Sequence, residues 1–396
     1  MDSKILGSIL LIVGTTIGAG MLALPIATAQ LGFVGSLVFL FICWFTMTAC
    51  AFLLLEVNLH MPANSNLVTM ARSTIGPVGQ IIAWISFLLL LYSLLSAYIS
   101  GGSGLVQYIF AAMNIEVSAP TTAILFTVLF GMVVYLGIHV VDYVNRGLMF
   151  AKLLGYALLM ILLMPFVTPS YLASGDISAL TTSGALMVTV TSFGYSLIVP
   201  SLRIYLASDV KKLKKTIFIG SLIPLICYVI WDIAIIGVIP LQGPNGLLEV
   251  LHAPNSTHAL VANLSLVASS PLVMLLIKLF TSVCVLTSFL GVALCLTDFL
   301  ADGFELEKVG FNRVIIQVAT FLPPLIIVLV YPNAFIRALE YAGIYSVILL
   351  ILLPAWMAYR GRQKFHGEGF KVPGGNPLLL SLIAFAVGSI VYSVLC

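Results

Sequence analysis

The sequence predicts an all-α polytopic membrane protein of about eleven transmembrane helices, the first and sixth of them broken near mid-depth. Three observations carry that expectation: an apolar excess along the whole chain, basic residues in every second connection, and two Gly-rich, Pro-flanked interruptions five segments apart. Of 396 residues 61% are hydrophobic and 8% charged, where a soluble domain carries about 25% charged residues. A mean hydropathy of +1.18 over the whole length excludes a soluble globular protein and a single-span receptor alike. The 17 Lys and Arg against 14 Asp and Glu leave a net charge of +3, an excess that topology accounts for and that gives no support to nucleic-acid binding. The six cysteines (Cys43, Cys50, Cys227, Cys284, Cys295, Cys396) lie in apolar runs without a CxxC pair. They read as small packing residues, so no disulfide, metal or cofactor is expected.

Apolar stretches of about 20 residues fall near 5–30, 33–59, 78–112, 121–140, 147–168, 180–206, 214–240, 271–300, 313–330, 334–358 and 377–395. The first resembles a signal peptide, with Lys4 ahead of it and Ala27-Thr28-Ala29 as a mock cleavage site. Its apolar run of roughly 25 residues exceeds the usual 7 to 15, so it reads as the first span. The chain is expected to form one transporter domain over 1–396, with a first repeat at about 5–168, a second at about 180–358 and an extra helix at about 377–395.

Orientation follows from the cations. Lys4, Arg72, Arg146, Lys211, Lys212, Lys214, Lys215, Lys308, Arg313, Arg360, Arg362, Lys364 and Lys371 all flank alternate connections, whereas 113–120, 169–179 and 241–270 carry none and only Arg337 marks the turn before segment 10. The positive-inside rule then places the N-terminus in the cytoplasm and the C-terminus outside. A missed span would scramble this alternation, so it also supports the count.

Segment 1 contains Gly14-Thr15-Thr16-Ile17-Gly18-Ala19-Gly20 followed by Pro25, and segment 6 contains Thr191-Ser192-Phe193-Gly194-Tyr195-Ser196 followed by Pro200. Helices five apart run in opposite directions, which is the signature of an inverted repeat whose discontinuous helices build a midplane site. A break frees N–H groups at the start of one half-helix and C=O groups at the end of the other, each end carrying about half a unit of charge. A zwitterionic amino acid fits both ends. Its carboxylate would sit on amides around Gly18, Ala19 and Gly20, and its ammonium on carbonyls near Thr15, Thr16, Ser192 and Phe193. The bland alternative is that Gly18 and Gly20 only let helices approach.

The runs Gly14 to Pro25, Leu54-Leu55-Glu56, Ala97-Tyr98-Ile99-Ser100-Gly101, Thr191-Ser192-Phe193-Gly194, Thr287 to Leu294 and Phe321-Leu322-Pro323-Pro324 resemble the bacterial hydroxy/aromatic amino acid permeases, in the same order along nearly the whole chain. That resemblance implies a leucine-transporter type fold of two inverted five-helix repeats, with broken helices 1 and 6 and a final extra helix. It also implies a multi-pass protein of the bacterial inner membrane that imports an aromatic amino acid, tyrosine foremost, by proton symport. There are departures: members of that family carry a histidine where Ser196 follows Tyr195, and a small residue where Glu340 precedes Tyr341.

An ionisable group at a helix centre costs about 2.5 to 3.5 kcal/mol even on the lenient insertion scale, so each asks for a reason. By resemblance to proton-coupled members of the wider superfamily, Lys152 in segment 5 would stand where a sodium ion binds beside Thr287 and Ser288 of segment 8. Desolvation makes a lysine's proton exchangeable, which suits a coupling group. The competing reading is that Lys152 snorkels to the cytoplasmic surface. Asp232 and Lys278, at similar depth in segments 7 and 8, read as a buried ion pair or a proton relay. Lys4 against Asp298 or Asp302 would form a cytoplasmic gate by fold analogy, and Glu56 would pair with Arg72 or Arg203. Among the aromatic residues, 11% of the chain, Tyr92, Tyr98, Phe193, Tyr195, Phe289 and Tyr341 are those placed to line a midplane pocket.

The leading function is a secondary transporter whose partners are a small-molecule amino acid, a proton and the lipid bilayer, working as a monomer. Sodium coupling through Thr287 and Ser288, or a broader neutral amino acid range, is the nearest alternative. From other classes, a channel lacks a ring of like charges or a filter repeat, and a non-transporting sensor has no feature of its own here. No HExxH, P-loop or nucleophile with an evident base points to an enzyme.

Overall fold

The computed structural model describes residues 3–63, 65–176, 183–253, 256–268, 271–331, 334–365 and 369–395, and these are helical throughout apart from their connections. Cys396 and the first residues of the predicted sixth segment lie outside them. The first span is two helices, α1 (Ser3–Thr16) and α2 (Ala19–Ala27), bent by 50°. Then follow α3 (Gly32–Leu59), a short α4 (Leu67–Thr74), α5 (Pro77–Ala112), α6 (Ala119–Leu136), α7 (Ile138–Leu163) and a single turn, α8 (Pro169–Leu172). The sixth span is α9 (Ser183–Ser192), a tight turn at Gly194–Ile198, and α10 (Val199–Tyr205). The second half continues with α11 (Val210–Val238), α12 (Leu247–His252), α13 (Ser256–Ala268), α14 (Pro271–Gly303), α15 (Gly310–Val330), α16 (Ala334–Val347), α17 (Leu353–Lys364) and α18 (Gly375–Leu395). Among the described residues ten helices are long and apolar enough to cross a membrane, and the bent pair makes eleven.

Side-chain chemistry sets the ends of these helices. Asn66, Ser118 and Asp209 accept from the first free amides of α4, α6 and α11, which is what N-capping side chains do. Pro77 opens α5, at the one place where a helix does not miss an N–H. The tenth span is continuous through a π-helical stretch at Ile348–Leu352 between α16 and α17. The 241–270 connection is not bare loop: it folds into α12 and α13, tied down by Glu249 accepting from the Asn245 amide at 2.7 Å and by Asn263 donating to the Asn245 carbonyl at 2.8 Å.

The bundle has an apolar core like a soluble protein but, unlike one, an apolar outer face as well. Val128, Leu129, Phe150, Ile161 and Phe311 are exposed on α6, α7 and α15, as lipid-facing residues are, while the broken helices lie at the centre. There α1 packs on α11, α2 on α9, and α16 along α5 and α9. Small residues allow these approaches, since lipid supplies no hydrophobic drive between helices. A Cβ on Gly343 of α16 would strike the Met187 backbone of α9, and one on Gly220 of α11 would meet Ile12 of α1.

Glu56 corrects an expectation. It pairs neither with Arg72 nor with Arg203 but with Arg362 of α17, whose Nε and Nη2 donate at 2.7 and 2.8 Å, and it also accepts from the Val372 amide at 2.7 Å. The reason is that α17 packs directly on α3, while Arg203 is taken up by the Asn58 and Met61 carbonyls and Ser208. Three donors on one buried carboxylate fasten α3 to α17 and to the strand of chain leading into α18. Glu56→Ala strands a half-buried guanidinium, and a loss of about 3 to 5 kcal/mol is expected for breaking such a pair; thermal unfolding in detergent should show a clear drop in Tm, with Arg362→Ala giving one of similar size.

Candidate functional site

The first span breaks because its ladder stops. The Ile17 amide still reaches the Val13 carbonyl at 2.9 Å, and the next regular bond, Met21 to Gly18 at 3.2 Å, already belongs to α2. Gly18 between them is extended (φ −160°, ψ −148°). Its space rather than its angles requires glycine, since a Cβ there would strike Ser288 Oγ of α14. The Ala19 amide, first of α2, donates to that same Ser288 Oγ at 3.0 Å, with the buried Tyr98 of α5 close by. Gly20 faces the other break: a Cβ there would come within 2.9 Å of Ser192 Oγ at the end of α9. The two interruptions therefore meet.

The carbonyl ends are occupied by two side chains. Lys152 of α7 is fully buried and its Nζ donates to the Ile17 carbonyl at 2.5 Å, the Gly14 carbonyl at 3.3 Å and Thr287 Oγ1 at 3.5 Å. No acidic side chain faces it among the described residues. This geometry overturns the snorkelling alternative. Tyr228 of α11, also fully buried, places its hydroxyl 2.7 Å from the Thr16 carbonyl and 2.8 Å from the Ser192 carbonyl, bridging the ends of α1 and α9. Its ring stands edge-on to Phe193, centroids 5.2 Å apart.

Other predicted residues are elsewhere. Thr15 is exposed, its hydroxyl folded back on the Leu11 and Ile12 carbonyls, while Thr16 is buried and back-bonded to Ile12. Gly194 opens the tight turn of the sixth span, and Tyr195 reaches out of it to Thr48 of α3 at 3.0 Å. Tyr92 does not face the centre: its hydroxyl donates to the Ala319 carbonyl of α15 at 2.7 Å. Phe289, about 100° around α14 from Ser288, is buried in a ring cluster with Phe126, Phe130 and Phe321. Tyr341 is exposed, beside a cavity of about 450 Å³ near one end of the bundle that it lines with Glu340, Arg337 and His252.

Two predicted charge pairs do not form. Trp231 faces Phe280 across from α14 at 5.4 Å, so Asp232, the next residue on α11, turns toward α3. There it accepts from Ser36, which itself accepts from Thr28 at 3.0 Å. Lys278 lies apart, on a small cavity with Leu275, Leu279 and His258. Asp298 pairs not with Lys4 but with Lys308, because the connection after Gly303 folds back alongside the end of α14.

With this geometry in hand, the whole chain can be compared with known proteins. Residues 1–393 match the model of the tryptophan/tyrosine permease family. The chain belongs to that family. The permease is 34% identical over 386 residues to the tyrosine-specific transport system 2 of Haemophilus influenzae, covering 97% of this chain and 94% of that one. It is 31% identical over 397 residues to the tryptophan-specific transport protein of Pseudomonas aeruginosa (99% and 94% covered) and 33% identical over 399 to glutamine transporter 2 of Aliivibrio fischeri (97% and 98%). Its backbone resembles the crystal structure of MhsT in complex with L-phenylalanine, with a TM-score of 0.65, 16% identity and 98% of each chain covered. The permease is thus a multi-pass inner-membrane transport protein with a leucine-transporter type, inverted-repeat fold, and not an enzyme.

Tyr228 is the main residue that sequence reading missed. A phenol within an apolar span is a signal that it has a partner, but nothing in the sequence says that the partners are two carbonyls from other spans. Gly18→Ala, by displacing Ser288, should lower amino acid binding to the purified permease by about tenfold or more, as expected when a buried polar pair is broken. Gly147→Ala, where a Cβ meets nothing within 4 Å, should bind as wild type; equilibrium binding of labelled substrate compares the two.

Proposed function

We propose that the permease imports an aromatic amino acid, tyrosine foremost, by proton symport with alternating access, acting as a monomer with its N-terminus in the cytoplasm and its C-terminus in the periplasm. The observation that carries this reading is the Lys152 ammonium inside the break of the first span, held by the Gly14 and Ile17 carbonyls and Thr287. The identity of two relatives as tyrosine-specific transport systems, each 34% identical over 97% of this chain, supports the substrate.

In this reading amides at the start of α2 receive the substrate carboxylate beside Ser288 and Tyr98, and the ammonium lies near the Thr15 and Phe193 carbonyls, since those of Thr16 and Ser192 are held by Tyr228. Lys152 joins α7 to the break and to α14. Taking up a proton outside charges the group that holds these helices together; giving it up inside weakens all three contacts at once, and the two half-spans can rock against the scaffold. The hydroxyls expected to hold sodium are otherwise engaged, Thr287 with Lys152 and the Cys284 carbonyl and Ser288 with the Ala19 amide. One proton crossing about 150 mV supplies about 3.5 kcal/mol, enough for a gradient of about 300-fold.

Uptake of labelled tyrosine into proteoliposomes tests this directly. Accumulation is expected under an imposed proton gradient, inhibited by unlabelled phenylalanine or tryptophan, and not under a sodium gradient. Lys152→Gln, which keeps a neutral donor but no exchangeable charge, should still exchange tyrosine across the membrane while losing concentrative uptake. Sodium-driven accumulation by the wild type, or proton-driven accumulation by Lys152→Gln, would overturn the reading.

A further inference from the structure

Two sets of backbone carbonyls end at the centre of this bundle, and each needs positive charge or a hydrogen-bond donor. The first, Gly14 and Ile17, has the Lys152 ammonium. The second, Thr16 from α1 and Ser192 from α9, has among the described residues only the Tyr228 hydroxyl, at 2.7 and 2.8 Å. A helix C-terminus carries about half a negative unit, and here two such ends converge on one oxygen in a site shielded from water. A phenol has one proton and cannot serve both carbonyls fully. It must share it or alternate between them.

We infer that Tyr228 stands in for a monovalent cation at the meeting point of the two broken spans, and so is a positioning residue that makes substrate binding independent of sodium. This rests on the proton-coupled reading above but concerns a different group. The hydroxyl is within hydrogen-bond distance of both carbonyl ends, the same two oxygens that a small cation bound there would use. Its aromatic ring is fixed edge-on against Phe193, and its helix, α11, packs on α1 and α2. The donor is therefore delivered by the scaffold and needs no ion from solution. Removing the hydroxyl while keeping the ring uncovers both carbonyls without opening a large cavity. The vacated point should then take sodium or lithium.

The test needs neither substrate nor gradient. Purified wild-type protein, Tyr228→Phe and Tyr156→Phe are melted in choline, lithium, sodium and potassium chloride at equal ionic strength. Tyr156 donates to the Cys227 carbonyl at 2.9 Å, so Tyr156→Phe loses a comparable bond away from the breaks. Wild type should melt at one temperature in all four salts, and Tyr156→Phe at one lower temperature. Tyr228→Phe should melt lower in choline and recover with increasing lithium or sodium. In a parallel assay its tyrosine affinity should fall about tenfold in choline and be regained in part in sodium. Equal melting of Tyr228→Phe in every salt would overturn the inference, as would sodium-dependent stability or binding of the wild type. If Tyr228→Phe cannot be purified folded, sodium stabilisation of the wild type still refutes the inference, and Tyr228→Leu takes the place of the phenylalanine variant in the four-salt comparison. Failure of the proton-coupled reading would appear only in the uptake assay.

Discussion

Backbone polar groups inside a bilayer must be satisfied by the protein itself, and an interrupted helix at mid-depth leaves several of them bare. Everything at the centre of this permease answers that demand. Ser288 takes the first amide of α2, Lys152 takes two carbonyls of the first span, and Tyr228 takes the last carbonyl of α1 together with that of α9. The partners come from α14, α7 and α11, so satisfying one break fixes the relative position of five helices. The site is therefore a consequence of the break, not an addition to it.

Sequence pattern disclosed the backbone half of this arrangement and little of the side-chain half. Spans, breaks and the meeting of helices 1 and 6 were legible because Gly, Pro and apolar run length are local signals. Lys152 was legible because a lone cation in lipid asks for a reason. Phe289 and Tyr92 were misplaced because depth along a helix is easy to read from sequence and azimuth is not: one residue of rotation separates Ser288, at the break, from Phe289, in the ring cluster behind it. The same rotation separates Trp231 from Asp232 and undid the pair with Lys278. Tyr341 is the same case, exposed while the next two residues of α16, Ala342 and Gly343, are buried.

The glycines show how tightly the two halves are built. Gly18 and Gly20 sit two residues apart but face different helices, one toward Ser288 of α14 and the other toward Ser192 of α9. Either side chain would push apart one pair of the elements that meet at the breaks. Small residues usually serve helix packing in membranes, and here they also bring the Ser288 and Ser192 hydroxyls up to the breaks.

The buried charges divide by the kind of partner they have. Glu56 has a guanidinium and a backbone amide, so removing either member of the ion pair would strand the other. Such a group fastens α3 to α17 and stays as it is. Lys152 has only dipoles around it, two carbonyls and a hydroxyl, and no counter-ion among the described residues. On the proposed reading, its losing a proton would strand no opposite full charge. A transporter needs both kinds of charge, one set to hold the scaffold and one to cycle, and the difference between them lies in whether the nearest partner carries a full charge or a dipole.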